Sequence, residues 1–165
     1  MHKCFYIICP TDYLEYKINK KFKYQNYFYT SLGNSFINDN RKMNELKDFI
    51  KKHNIKAIYF VISMDNKIVL DALGSNEFSN ISGLNNFYKE IRRQKKRSKI
   101  SFKEDDFQFA MLSYYLNKKI KELELELSSL SDFSIKIGAK IYNKNLDVFT
   151  SIYSDLVCLE EYHLN

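Results

Sequence analysis

The sequence contains few of the residues that interrupt or cross-link a fold. Its 165 residues include one proline, four glycines, three cysteines and no tryptophan. Glycine-rich linkers, internal repeats and low-complexity tails are missing, so the length predicts a single domain over residues 1–165. The cysteines, Cys4, Cys9 and Cys158, are odd in number and show no local pairing pattern, which argues against a disulfide framework.

The sequence also lacks a long apolar segment. No apolar run approaches the roughly 18 residues that a membrane span requires. The apolar start of the chain is too short for a secretory signal, and no small residues stand where a cleavage site would need them. We therefore expect a cytoplasmic protein without a membrane span. Cys4 and Cys9 are expected to be buried free thiols on opposite faces of one strand, because they lie five residues apart.

Apolar residues make up 45% of the chain, which is enough to bury a core, and the net charge is +6. Much of the positive charge lies in one run that contains Arg92, Arg93, Lys95, Lys96 and Arg97. Apolar residues precede this run, so it is typical of a helix end, where cations stabilise the helix dipole. No groove-reading motif, zinc finger or RNA-binding aromatic signature accompanies it, which disfavours nucleic acid. A solvated helix end or a site for an acidic protein partner is the preferred interpretation.

Apolar periodicity predicts strands that alternate with helices. A strand over residues 3–9 leads into a helix after Asp12, and a strand over 26–29 ends in a turn at Gly33 and Asn34, where positive backbone dihedrals are available. The other strands are predicted at 57–62, 133–142 and 146–152, and the other helices at 43–53, 68–73, 84–97 and about 104–127. Strand, helix and strand with short connections indicate a right-handed parallel crossover, and the last two strands indicate a hairpin.

The stretch over residues 57–67 is the most informative part of the chain. Residues 57–62 are apolar at every position, which is typical of a strand that is buried on both faces. A polar turn that contains Ser63, Asp65 and Asn66 follows at once, and a helix is predicted after it. Ligands of α/β proteins bind at the carboxyl ends of such strands. This turn is therefore the first candidate for a functional site.

Three short segments, one after each of the first three predicted strands, carry a resemblance to a known family. They are Cys9-Pro10-Thr11-Asp12-Tyr13, Thr30-Ser31-Leu32-Gly33-Asn34 and Ile62-Ser63-Met64-Asp65-Asn66-Lys67. In order and spacing they resemble three motifs of the β-class carbonic anhydrases, Cys-x-Asp-Ser-Arg, Arg-Asn-x-Ala-Asn and Gly-His-x-x-Cys-Gly. The resemblance covers nearly the whole chain. It implies a Rossmann-like three-layer α/β fold with a mostly parallel sheet of four to five strands, flanking helices and a C-terminal hairpin.

The same resemblance implies that the family's zinc site is missing. That family holds zinc with two cysteines and one histidine. Here only Cys9 matches a ligand position, Ser63 stands at the histidine position and Asn66 at the second cysteine position. A neutral hydroxyl and a neutral amide are poor zinc ligands. We therefore expect no bound metal or cofactor and no zinc-dependent hydration of carbon dioxide, whereas a homodimer is expected because the family forms one.

Cation binding and nucleophilic catalysis at these positions are less favoured by the sequence. Cys9, Asp12 and Asp65 could form an oxygen-rich site for a hard cation, but each acid is better explained as the cap of the helix that follows it. Cys9 as a nucleophile requires a base, and no histidine is near it in the sequence. Ser63 at a strand-to-helix turn lacks the glycines of a nucleophile elbow.

Three functional hypotheses follow from these patterns. The first is a non-catalytic binding protein that holds a small anion or a protein partner, with a candidate site of Cys9, Asp12, Asn34, Ser63, Asp65 and Asn66. The second is an enzyme with diverged chemistry in the same cleft, based on Cys9 or on a rebuilt metal site. The third is a basic adaptor that uses residues 92–97 to hold an acidic protein, a membrane surface or nucleic acid.

Overall fold

The computed structural model describes residues 2–35, 39–98, 104–130 and 134–154. For residues 97, 98 and 104–106 it describes the backbone only. Cys158 and the side chain of Arg97 lie outside this description. A five-stranded sheet forms the centre, in the order β2-β1-β3-β4-β5. Its strands are β1 (Lys3–Ile8), β2 (Gln25–Thr30), β3 (Ala57–Ser63), β4 (Lys136–Asn143) and β5 (Val148–Ser151). The pairs β1–β2, β1–β3 and β3–β4 are parallel, and β5 returns antiparallel to β4. The predicted parallel sheet and C-terminal hairpin are confirmed.

Helices cover both faces of the sheet and so give three layers. They are α1 (Glu15–Lys21), α2 (Asn40–His53), α3 (Lys67–Leu73), α4 (Asn85–Ser98) and α5 (Glu104–Leu127). Apolar residues from α2 to α5 pack with one face of β1 and β3, whereas Leu14 and Ile18 of the α1 segment pack on the other. Cys9 belongs to the first core and Cys4 to the second, so the two buried thiols do lie on opposite sides.

Local sequence explains most of the element boundaries. Asp39 accepts a hydrogen bond from the backbone N–H of Lys42 (2.8 Å) and so begins α2 three residues before the predicted start. Asn54 ends this helix in the left-handed conformation, directly after the predicted end at residue 53. Gly33 and Asn34 both have positive φ, of 58° and 53°, which confirms the predicted turn. β5 begins two residues later than predicted, because the connecting turn extends to Asp147, which also has positive φ.

The topology places one polar site at the carboxyl edge of the sheet. β2 follows β1 on one side of it in the sheet, and β3 lies on the other side of β1. The connection after β1 and the connection after β3 therefore lead toward opposite edges of the sheet. Such a switch point leaves a crevice beyond the ends of the two strands. The segments after β1, β2 and β3, which carry the resemblance, all lie at this edge.

Candidate functional site

Asp12 connects the loop after β1 to the loop after β3. Its carboxylate accepts a hydrogen bond from the backbone N–H of Ser63 (2.9 Å) and another from the amide Nδ2 of Asn66 (2.7 Å). The expectation that Asp12 caps the next helix is wrong. Tyr13 adopts the left-handed conformation (φ 53°) between Asp12 and α1, and Leu14 precedes that helix without a side-chain cap. The turn at Tyr13 separates Asp12 from α1, and its carboxylate bonds to the β3 loop.

Asn66 is the residue that caps α3, which corrects the same expectation for Asp65. Its Oδ1 accepts the backbone N–H of Val69 (3.0 Å), while its Nδ2 donates to Asp12 and lies 3.3 Å from the hydroxyl oxygen of Thr11. The exposed Asp65 carboxylate instead accepts a hydrogen bond from the Ser63 hydroxyl. Asn66 is fully buried, so every polar atom of its amide has a partner inside the protein.

The sulfur of Cys9 belongs to the same hydrogen-bonded cluster. Cys9 is fully buried, and its Sγ accepts the backbone N–H of Gly33 at 3.2 Å. The hydroxyl of Thr11 lies 3.1 Å from this sulfur and also contacts Asn66. Thr11 therefore links the first candidate segment to the third, and the N–H of Gly33 links the second segment to Cys9 in the first. Sequence reasoning missed both residues as participants, although each lies inside a segment that carries the resemblance.

Asn34 lies beside this cluster and is fully buried. Its Nδ2 donates to the carbonyl oxygen of Val61 in β3 (2.8 Å), whereas its Oδ1 has no hydrogen-bond partner. A buried acceptor without a partner costs about 1–3 kcal/mol. The structure therefore brings Cys9, Asp12, Ser63, Asp65 and Asn66 into one network and attaches Asn34 to the neighbouring strand end.

The electrostatics of the cluster depend on Asp12. Burial raises the pKa of its carboxyl to about 6, although the hydrogen bonds from Ser63 and Asn66 lower it, and the charge of Asp65 raises it further. Tyr13, at the position of the family's arginine, is 81% exposed. The cluster therefore contains two carboxylates close together, and one of them is held in an unfavourable environment for its charge.

The donor set of this cluster does not fit a zinc ion. Zinc in proteins takes thiolate, imidazole or carboxylate ligands. Ser63 and Asn66, which the sequence resemblance matches to two of the three family ligands, carry neutral groups that already bond to Asp65 and Asp12. Within residues 2–35, 39–98, 104–130 and 134–154, no three His, Cys, Asp or Glu side chains lie close enough together to hold a metal ion.

The basic run forms the C-terminal half of α4, away from this cluster. Arg92 donates to the Oδ1 of Asn76 (3.1 Å), and Lys95 donates to the carbonyl oxygen of Leu73 at the end of α3. These two side chains therefore stabilise the segment after α3. Arg92 also lines a cavity on this helix, together with Lys89, Arg93 and Lys96.

Comparison with solved structures identifies the fold. The β-carbonic anhydrase CafD of Aspergillus fumigatus superimposes with a TM-score of 0.72 at 15% sequence identity, over 92% of this chain and 90% of that one. CafA of the same fungus gives 0.71 at 13% identity, over 94% and 77% of the two chains. One of two tetrameric β-carbonic anhydrases from Sordaria macrospora gives 0.70 at 10% identity, over 92% and 81%. No protein-family profile matches this sequence, and no curated protein is detectably similar to it.

The chain therefore has the fold of the β-carbonic anhydrases, and the resemblance predicted from its sequence is confirmed at the level of the fold. At 10–15% sequence identity, the similarity to the matched structures lies in the fold. In the parts of the chain that the structure describes, no helix is long and apolar enough to cross a membrane.

Proposed function

We propose that this protein is a non-catalytic member of the β-carbonic-anhydrase-like fold that has lost the zinc site and acts by binding a small anion or a protein partner. The observation that carries the proposal is the state of Asn66. At the position of a family zinc ligand, its amide caps α3 and donates to Asp12. An internal hydrogen-bonded contact between two loops thus stands where the family has a metal.

The burial of Cys9 supports the same conclusion. A catalytic thiol has to be reachable by its substrate and needs a base or a positive environment. The Cys9 side chain is fully buried in the apolar core, and its sulfur accepts the N–H of Gly33. Cys9 thus behaves as a small core residue that fixes the loop after β2, which does not favour the diverged-enzyme alternative.

The fold also supports the proposal of a homodimer. β2 lies at the edge of the sheet, so one side of its backbone has no neighbouring strand within the described residues. Free strand edges are ready sites for pairing with a second chain. The matched β-carbonic anhydrases of Sordaria macrospora are tetrameric. The proposed location is the cytoplasm, because the buried thiols Cys4 and Cys9 are separate and free.

Carbon dioxide hydration measured by stopped flow tests this function. The purified protein, supplied with zinc, is expected to hydrate carbon dioxide no faster than its C9S variant. Cys9 is the residue that matches a family ligand, so zinc-dependent hydration that disappears in C9S would contradict the proposal. Equal rates for both proteins, at the uncatalysed level, would support it.

A further inference from the structure

A cavity lies between α4 and α5, and its wall shares no residue with the strand-end cluster. Its volume is about 740 Å³, which lies in the range of small-molecule sites. Residues from both helices and from the loops before α2 and α4 form its wall. They are Ser35, Gly83, Asn85, Asn86, Phe87, Lys89, Glu90, Arg93, Tyr115, Lys118, Lys119 and Glu122.

The charges on this wall are mostly positive. Lys89, Arg93, Lys118 and Lys119 oppose Glu90 and Glu122, which leaves an excess of two positive charges (four minus two). Each acid is within ion-pair distance of a lysine, at 3.0 Å for Lys118–Glu90 and 2.9 Å for Lys119–Glu122. Paired acids neither repel an anion strongly nor attract a cation, so the excess charge determines which ligands the cavity favours.

The carboxyl group of Glu90, on the wall of this cavity, is held in its charged form by its neighbours. Burial raises the pKa of its carboxyl, but hydrogen bonds from Gln94 and Lys118 and the charges of Lys118 and Arg93 together lower that pKa below its usual value. The side chain of Glu90 is only 12% exposed, and its oxygens accept from Gln94 at 2.9 Å and Lys118 at 3.0 Å. The charged form of this buried carboxylate is therefore stabilised by the amide of Gln94 and by the cations Lys118 and Arg93.

Basic side chains of α4 also border a second cavity. This cavity of about 370 Å³ is lined by Lys89, Arg92, Arg93 and Lys96 and so shares two residues with the first. Residues 89, 93 and 96 follow the spacing of one helix face. Arg and Lys side chains are the usual partners of phosphate groups, whose oxygens accept several charge-assisted hydrogen bonds at once.

The uncharged wall narrows the class of ligand. Asn85, Asn86 and Ser35 offer amide and hydroxyl groups that suit the hydroxyls of a sugar or polyol. The rings of Phe87 and Tyr115 are 3% and 1% exposed, so they form the floor and leave almost no face on which a base could stack. These features favour a compact phosphorylated metabolite over a nucleotide or a nucleic acid.

We propose that the cavity between α4 and α5 binds a small phosphate-bearing, hydroxyl-rich metabolite. The proposal rests on the proposed function as an anion-binding protein, and it assigns the anion to this cavity and not to the strand-end cluster. There the carboxylates of Asp12 and Asp65 already accept the hydrogen bonds that an anion would need. In the α4–α5 cavity the cations outnumber the acids.

The test is isothermal titration calorimetry with inorganic pyrophosphate as the probe. Wild-type protein is expected to bind it, and K89Q/R93Q is expected to bind roughly tenfold or more weakly, because two charge-assisted contacts are lost. The matched control K51Q/K52Q removes the same net charge from two exposed positions on α2 and is expected to keep wild-type affinity. Lys89 is exposed, so K89Q alone serves as a second variant that leaves the fold intact; it is expected to bind more weakly than wild type.

Three outcomes would overturn the inference. They are no binding by wild type, an equal loss in K51Q/K52Q, and displacement of pyrophosphate by a single-stranded oligonucleotide at far lower concentration. None of them bears on the proposed loss of zinc chemistry, which the hydration assay tests separately. Conversely, zinc-dependent hydration would remove the proposed function while pyrophosphate binding at Lys89 and Arg93 still supported the cavity.

Discussion

Replacing Asn66 with alanine is the sharpest perturbation of the strand-end cluster. The amide of Asn66 has two separate structural tasks. Its Oδ1 caps α3 by accepting the N–H of Val69, and its Nδ2 donates to the carboxylate of Asp12. Alanine removes both contacts, together with the longer contact from Nδ2 to the Thr11 hydroxyl, and introduces no new polar group. The change therefore reports on these hydrogen bonds and on the small volume lost with them.

The expected loss follows from the two contacts. Removing an asparagine cap costs about 1 kcal/mol. Removing a donor from a buried carboxylate costs about 1–3 kcal/mol more, because Asp12 then keeps only the N–H of Ser63. We therefore expect N66A to lower the free energy of unfolding by about 2–4 kcal/mol. For a domain of this size that corresponds to roughly 4–16 °C in melting temperature.

Urea denaturation at pH 7, followed by circular dichroism, measures this loss. The matched control is N44A on the exposed face of α2, where the same substitution is expected to change the stability by less than about 0.5 kcal/mol. A double-mutant cycle with D12N should give a coupling of about 0.5–3 kcal/mol. If N66A lost no more than N44A, or if the cycle showed no coupling, the description of the cluster would be wrong.

Two further predictions concern neighbouring contacts. The pKa of Asp12 is raised to about 6 in the folded protein, against about 3.9 in the unfolded chain, so the folded state binds the proton more tightly. The stability that this protonation provides is present below about pH 4 and is lost as the pH rises through 6. The free energy of unfolding of D12N, relative to that of wild type, should therefore rise by up to about 3 kcal/mol between pH 4 and 7. If urea denaturation gave the same difference between the two proteins at both pH values, the raised pKa of Asp12 would be contradicted. Y115F removes the buried hydrogen bond from the Tyr115 hydroxyl to the carbonyl of Gly33 (3.0 Å) and should cost about 1 kcal/mol. The control Y16F, at a residue 73% exposed, should cost almost nothing, so equal melting temperatures for the two variants would argue against the contact.

The fold was predictable from local patterns because those patterns have local causes. The apolar run of β3 is buried on both sides of the sheet, and the polar residues after it mark the strand end. Asn54 ends α2 because asparagine tolerates the left-handed conformation. The order of strands and helices then leaves few parallel topologies open, which is why the resemblance to the β-carbonic anhydrases already appeared in the sequence.

The contacts within the site were not predictable in the same way. Asp12 bonds to Ser63 and Asn66, more than fifty residues further along the chain. A local pattern cannot distinguish that arrangement from a helix cap, since an aspartate after a strand suits both. The cation-rich cavity was equally hidden, because it depends on how α4 and α5 pack, which brings Glu90 against Lys118. The sequence showed a basic run, but only the packing shows that Lys95 bonds to the end of α3 and Arg92 to the segment after it, and that Arg92, Arg93 and Lys96 line a cavity.

The zinc content of the purified protein tests the central claim most directly. Protein expressed in zinc-supplemented medium and measured by elemental analysis is expected to contain far less than one zinc per chain, with C9S giving the same value. The reason is that Ser63 and Asn66, which the resemblance matches to two of the three family ligands, carry neutral groups that bond to Asp65 and Asp12. One zinc per chain in the wild type, lost in C9S, would show that the strand-end cluster still holds the metal and would contradict the account.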